Sequence, residues 1–162
     1  MLATFSGSVI DGLDGLAGGV MATAFAAYAG IAFFQEQIDL AAFSAVIAGA
    51  IAAFLWFNIP PARFYMGETG ILGLTTTLTV VAFLTDAVLV LPLIALPLVL
   101  DSASVIIQLF SKKFFGRKIF LVAPLHHHFE AIGWPHYKVT MRAWVLSAVS
   151  AIIGMVIALL GR

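Results

Sequence analysis

From residue 15 to residue 34 the chain carries no charged side chain, and four further apolar runs follow at residues 40–57, 71–84, 87–110 and 139–160. A bilayer hydrocarbon core about 30 Å thick takes roughly 20 apolar residues of helix to cross, and a backbone inside it must satisfy its own polar groups. The runs therefore predict an all-α, polytopic transmembrane helix bundle of about five spans, with residues 1–162 forming a single integral membrane domain. The third run is the shortest; it extends back to Gly67, or pairs with the segment around Asp86 as one re-entrant element. Only Asp101 in the fourth run and Arg142 in the fifth interrupt the apolar pattern.

Composition agrees. Of 162 residues 62% are apolar and 10% charged, and the mean hydropathy is +1.10, against roughly 45–50% and 25% in a soluble domain. Eight cations balance eight anions, so the basic footprint of a nucleic-acid binder is missing and nucleic acid is not an expected partner. The chain has no cysteine, which leaves carboxylates, imidazoles, hydroxyls and amides for any chemistry. The first run is too long for a signal-peptide core and lacks a basic flank, so it is expected to stay in the membrane.

Small residues recur at close spacing in the first run (Gly18, Gly19, Ala22, Ala26, Ala29, Gly30) and the second (Ala45, Gly49, Ala53), which predicts that both helices pack on other helices. Pro92 and Pro97 are expected to kink the fourth run. Arg63 falls in the second connection and Lys112, Lys113, Arg117, Lys118 and Lys138 in the fourth, whereas the first and third hold only Glu36, Asp39 and Asp86. The positive-inside rule then puts the second and fourth connections, and the segment before the first span, in the cytoplasm. The site is expected in these loops.

Three polar segments thus share one membrane face. In the first, Asp11 and Asp14 lie three residues apart and share a face if helical, with glycines that let a ligand approach; alternatively they open a helix, with Asp at its positive end. The second, residues 57–70, combines Asn58, Arg63, Tyr65 and Glu68. Glu68 suits Mg²⁺, which takes oxygen ligands and keeps water and substrate phosphates in its shell; Tyr65 can stack on a base and Arg63 can meet a phosphate. The alternative is an interfacial loop with an aromatic belt of Trp56, Phe57 and Tyr65. The third holds His126, His127 and His128 after Pro124, with Glu130 and His136 beyond. Adjacent helical residues diverge by about 100°, so all three histidines serve one site only if the backbone is irregular. The run lacks the i, i+4 spacing of a helical zinc site, and fits hydrogen bonding to phosphate or proton transfer, or else a solvated interfacial cluster. Asp101, costly within a span, reads first as a structural hydrogen-bonding residue satisfied by Ser102 and Ser104.

In order and spacing these segments resemble the bacterial phospho-N-acetylmuramoyl-pentapeptide transferases, within the polyprenyl-phosphate N-acetylhexosamine-1-phosphate transferase superfamily. Residues 11–17 look like the nucleotide-site motif, Phe57-Asn58, Pro61-Ala62 and Tyr65-Met66-Gly67-Glu68 like the second motif, and residues 124–130 like the histidine motif of the muramoyl-pentapeptide branch. The resemblance implies Mg²⁺-dependent transfer of phospho-N-acetylmuramoyl-pentapeptide from its UDP-linked donor to undecaprenyl phosphate, releasing UMP, for peptidoglycan synthesis at the bacterial cytoplasmic membrane, with the active site facing the cytoplasm. It further implies Glu68 as the metal-binding carboxylate, Tyr65 on uracil, Asn58, Asp11 and Asp14 on the nucleotide side, and His126, His127 and His128 along the phosphates.

The match has departures. The family carries Asp at the place of Glu68 and Phe at Tyr65, and two asparagines where this chain has Phe5 and Ser8. It also has about ten spans, so the likeness is to its C-terminal half, and the adjacent Asp-Asp pair of the other half has no counterpart here. The expectation is a truncated gene model or one half of a split enzyme, inactive alone and needing its missing half or a companion chain; a homodimer is a further candidate assembly. The competing readings are a related transferase using another UDP-sugar and a non-enzymatic membrane subunit.

Overall fold

A computed structural model describes residues 12–161, and among these every regular element is helical. The long helices are α1 (Leu16–Phe34), α2 (Ile38–Asn58), α3 (Gly67–Leu84), α5 (Leu96–Phe115) and α7 (His136–Leu160); α4 (Leu91–Ile94) and α6 (Leu125–Ala131) are short. Four of them, α1, α2, α3 and α7, are each long and apolar enough to cross a membrane. The third run does reach back to Gly67, because Gly67 adopts a φ of 71° at the start of α3 and turns the preceding loop into it.

The fourth run is not one kinked span. A 3₁₀ turn at Val88–Val90 leads into α4, and the chain then bends by 83° into α5. Pro92 and Pro97 each sit in the first turn of a new helix, where a missing N–H costs nothing and the fixed φ suits the start. The prolines restart the helix on either side of Ala95, and the broken pair together meets the spanning criterion. An apolar groove of about 580 Å³, bordered by Leu78, Phe83, Leu91 and Leu98, lies between α3 and the bent pair.

Helix α1 is the buried centre: Val20, Met21, Ala24, Phe25, Tyr28 and Ile31 are all inaccessible. It packs most extensively on α2 and then on α7. Three glycines of α1 behave as expected, since a Cβ on Gly18 would crowd Leu55, one on Gly19 would overlap Trp144 Nε1 and one on Gly30 would meet Met155, whereas Ala26 is exposed. The small residues of α2 do not: Ala45, Gly49 and Ala53 are exposed, and nothing lies within 4 Å of a Cβ on Gly49. The face α2 turns to its neighbours is instead Ala41, Ser44, Ile51 and Asn58. Thr23 Oγ1 and Ser147 Oγ join α1 to α7 at 2.5 Å, a polar tie that survives where lipid supplies no competing water.

At the end of α1 remote from the polar segments, three side chains cross to the end of α3. Tyr28 Oη donates to Ala87 O at 2.9 Å, Gln35 Nε2 to Thr85 O at 2.9 Å and Gln37 Nε2 to Leu84 O at 3.3 Å.

Candidate functional site at the polar end of the bundle

The segment before α1 turns on Gly15, whose φ is 73°. This turn is held from three directions. The Gly15 N–H donates to Asn58 Oδ1 at 3.1 Å, Trp144 Nε1 donates to Gly15 O at 2.9 Å, and Thr140 Oγ1 donates to Asp14 O at 3.1 Å. Asp14 Oδ2 accepts the Ala62 N–H at 3.0 Å. The Tyr65 hydroxyl faces the same carboxylate, and that hydrogen bond and negative charge push the phenol above the usual tyrosine range. The first two polar segments are therefore one unit, with Asp14 the pin between them.

Asn58 is buried at 5% exposure. Its Nδ2 donates to Phe64 O at 2.9 Å while its Oδ1 takes the Gly15 N–H. Each end of the amide engages backbone, which fixes the two loops against each other and leaves one N–H and one oxygen lone pair beyond these two bonds. Tyr65 is 65% exposed and leaves its ring open. Phe57 and Phe64 stack at 5.7 Å on the same loop, and Trp56, Phe57 and Tyr65, the residues of the expected aromatic belt, are all exposed.

The histidine segment is a regular helix, α6, with Pro124 as its cap, and it turns His128 away from the other two rings. His126 is buried at 3% exposure. Its backbone N–H donates to Asp101 Oδ1 at 3.1 Å and its Nδ1 lies 2.9 Å from Asp101 Oδ2. This corrects the expected partners of Asp101: Ser102 donates to Leu98 O and Ser104 to the Asp101 backbone carbonyl, because a helical Ser reaches back to the preceding turn. His127 Nδ1 lies 2.5 Å from Glu130 Oε2. His128 turns elsewhere, accepting the Leu121 N–H at 3.2 Å and meeting Phe120 edge-on.

The first and third segments meet at Gly12. A Cβ there would lie 2.5 Å from His126 Nε2 and 3.3 Å from His127 Nε2, so only glycine admits both rings. Asp14, Tyr65, His126 and His127 thus gather at one end of the bundle, while His128 faces the loop after α5. Asp11 lies outside the described residues.

The glycosyl transferase family 4 pattern matches residues 6–86, half of the chain. The chain belongs to glycosyl transferase family 4. It is also 43% identical over 150 residues to a phospho-N-acetylmuramoyl-pentapeptide-transferase of Anoxybacillus flavithermus, and 41% identical to those of Bacillus pumilus and Bacillus subtilis. Each match covers 93% of this chain and 46% of the relative, so the chain spans about half the length of these curated relatives. With so few residues left out, the histidine segment falls inside the match although it lies beyond the family 4 pattern.

For a glycosyl transferase family 4 chain, the donor set around the Gly15 turn bears on metal binding. No three Asp, Glu or His side chains gather as a metal cage among the described residues. Mg²⁺ needs no such cage, since it commonly takes one or two carboxylates and completes its shell with water and phosphate. Glu68 fits that mode: it lies exposed in the first turn of α3 and has no hydrogen bond or ion pair with any described residue, whereas Asp14 is already engaged.

Sequence reasoning missed the supports of this site. Trp144 and Thr140 lie one turn apart on α7 and meet the turn at Gly15; their i, i+4 spacing near the start of the fifth run was the available signal. Gln108 was the other: its Oε1 accepts Ile119 and Phe120 N–H at 3.0 Å each and its Nε2 donates to Phe120 O at 2.8 Å. It folds the basic loop after α5 back toward α6. Trp134 is packed on one face by Phe129 at 4.8 Å, with the Arg142 guanidinium 4.1 Å and the Lys138 ammonium 4.9 Å from its ring centre, which anchors α6 to α7.

Proposed function

We propose that this chain forms the nucleotide-sugar side of a phospho-N-acetylmuramoyl-pentapeptide transferase, acting on a UDP-linked muramoyl-pentapeptide and undecaprenyl phosphate at the cytoplasmic face of the bacterial inner membrane. The observation that carries this reading is the convergence of the Asp14–Tyr65 unit with His126 and His127 at Gly12, in a chain whose curated relatives bear that name.

In this transfer an oxygen of the lipid phosphate bonds to the sugar-bearing phosphorus of the donor as the bridging bond to UMP breaks. Such a step asks mainly for positioning and for neutralising charge on the phosphoryl oxygens. Tyr65 offers an exposed ring for stacking on uracil, kept in place by Asp14. The Nε2 atoms of His126 and His127 face the turn where the donor phosphates would lie, and Arg63 stands exposed on the same loop. Glu68 would hold Mg²⁺, which when bound supplies charge neutralisation at the pyrophosphate. The cations of the second and fourth connections lie at this same end, the arrangement a cytoplasmic site requires under the positive-inside rule.

The test is transfer of labelled UDP-muramoyl-pentapeptide to undecaprenyl phosphate in membranes bearing the protein together with the half of the family fold that it does not match. Transfer is expected with Mg²⁺, lost with chelator and regained on Mg²⁺ addition, and Glu68→Gln is expected to lower it by about a hundredfold or more. Transfer of UDP-N-acetylglucosamine alone would reject the sugar assignment, and undiminished Glu68→Gln activity would place the metal elsewhere.

A further inference from the structure

The three adjacent histidines of α6 differ in what each Nδ1 meets. His126 Nδ1 faces Asp101 Oδ2 at 2.9 Å and His127 Nδ1 faces Glu130 Oε2 at 2.5 Å, whereas His128 Nδ1 accepts a backbone N–H from Leu121. An ionised carboxylate can only accept. Opposite ionised carboxylates the proton of His126 and His127 would sit on Nδ1, and that of neutral His128 on Nε2.

The two carboxylate-held rings stand 4.3 Å apart between centres and both turn Nε2 to Gly12. His126 Nε2 is buried with no hydrogen-bond partner among the described residues, which leaves hydrogen-bonding capacity unmet at that point. Glu130 also receives His136 Nδ1 from the first residue of α7, so His127 is braced toward α7 as His126 is braced toward α5.

We infer that Asp101 and Glu130 are positioning residues: they hold the proton of His126 and His127 on Nδ1 and present the two Nε2 atoms together at the Gly12 turn, where each takes a proton and, once protonated, donates to a phosphoryl oxygen. The ligand in this inference rests on the transferase reading; the tautomers do not. A ring held this way accepts or takes a proton at Nε2 when neutral and donates from Nε2 when protonated, without rotating between the two tasks. The carboxylate behind it offsets the charge of the imidazolium. A second task for Glu130, simply bracing α6 to α7, is separable, because His136→Ala removes that brace and leaves the Glu130–His127 contact intact.

Nitrogen-15 NMR of the full chain in lipid bilayers, labelled at histidine and recorded where the rings are neutral, reads the tautomers directly. His126 and His127 are expected as Nδ1–H, with His128 as the Nε2–H reference. Asp101→Asn and Glu130→Gln place an amide donor opposite Nδ1, and each is expected to move its own histidine to Nε2–H. Nε2–H rings in the unsubstituted protein, or tautomers unchanged in both variants, would overturn the inference.

In the transfer assay Glu130→Gln is expected to lower kcat about tenfold or more with donor KM within about threefold, Glu130→Asp to recover part of the loss, and His136→Ala to stay within about twofold. Equal losses in His136→Ala and Glu130→Gln would reduce Glu130 to a brace and also overturn it. Expected tautomers in a protein that transfers no sugar phosphate would support the positioning roles and reject the transferase reading instead.

Discussion

Asn58 shows how much of the site depends on one amide. It satisfies the Gly15 N–H and the Phe64 carbonyl while almost fully buried, and truncating a buried partner leaves groups that can no longer reach water. Asn58→Ala is therefore expected to cost about 1–3 kcal/mol, seen as a lower melting temperature of the protein in detergent micelles; an unchanged midpoint would show that water replaces the amide. The residue types at the site were legible from the sequence because Asp14, Tyr65, Glu68 and the histidines carry chemistry at telling spacings. Their partners were not. Asp101 lies far from His126 in sequence, so its nearest hydroxyls looked like its partners until α5 and α6 were brought together. The backbone partners of Asn58 were hidden for the same reason: nothing in a linear chain announces that Gly15 and Phe64 will arrive on either side of it.

Elements were legible where apolar length decides them and illegible where packing does. Four of the expected spans appear as single helices, and Gly67 marks the start of α3. The fourth run breaks because two prolines suit the first turns of two helices better than the middle of one, a difference that the presence of proline does not reveal. Small-residue spacing likewise fails to say which face finds a neighbour. Replacing Gly19 with Val is expected to displace Trp144, break its bond to Gly15 O and destabilise the protein by about 1–3 kcal/mol, whereas Gly49→Ala, with open space around it, is expected to be neutral or to gain up to about 1 kcal/mol from helix propensity. Parallel thermal melts of the two variants check the contrast, and equal losses would mean that the exposed face of α2 is packed in the membrane.

For the molecule as a whole, the cations among the described residues gather at one end of the bundle, beside the carboxylates of the site. Arg63, Lys112, Lys113, Arg117, Lys118, Lys138 and Arg142 stand at the site end, and Glu36, Asp39 and Asp86 at the other. Because the chain has no cysteine, single replacements at Lys118 and at Asp86 give clean orientation probes. In intact cells a membrane-impermeant maleimide is expected to label Asp86→Cys and to reach Lys118→Cys only after the membrane is opened. The reverse pattern would invert the topology.

The three ties at the end remote from the site run from Tyr28, Gln35 and Gln37 to the carbonyls of residues 87, 85 and 84. Every acceptor belongs to the main chain, which is identical whatever side chain it bears. Sequence drift at 84, 85 and 87 is therefore tolerable so long as the turn keeps its path, while change at 28, 35 or 37 cuts the connection. The information that holds this end together is written on the donor side alone.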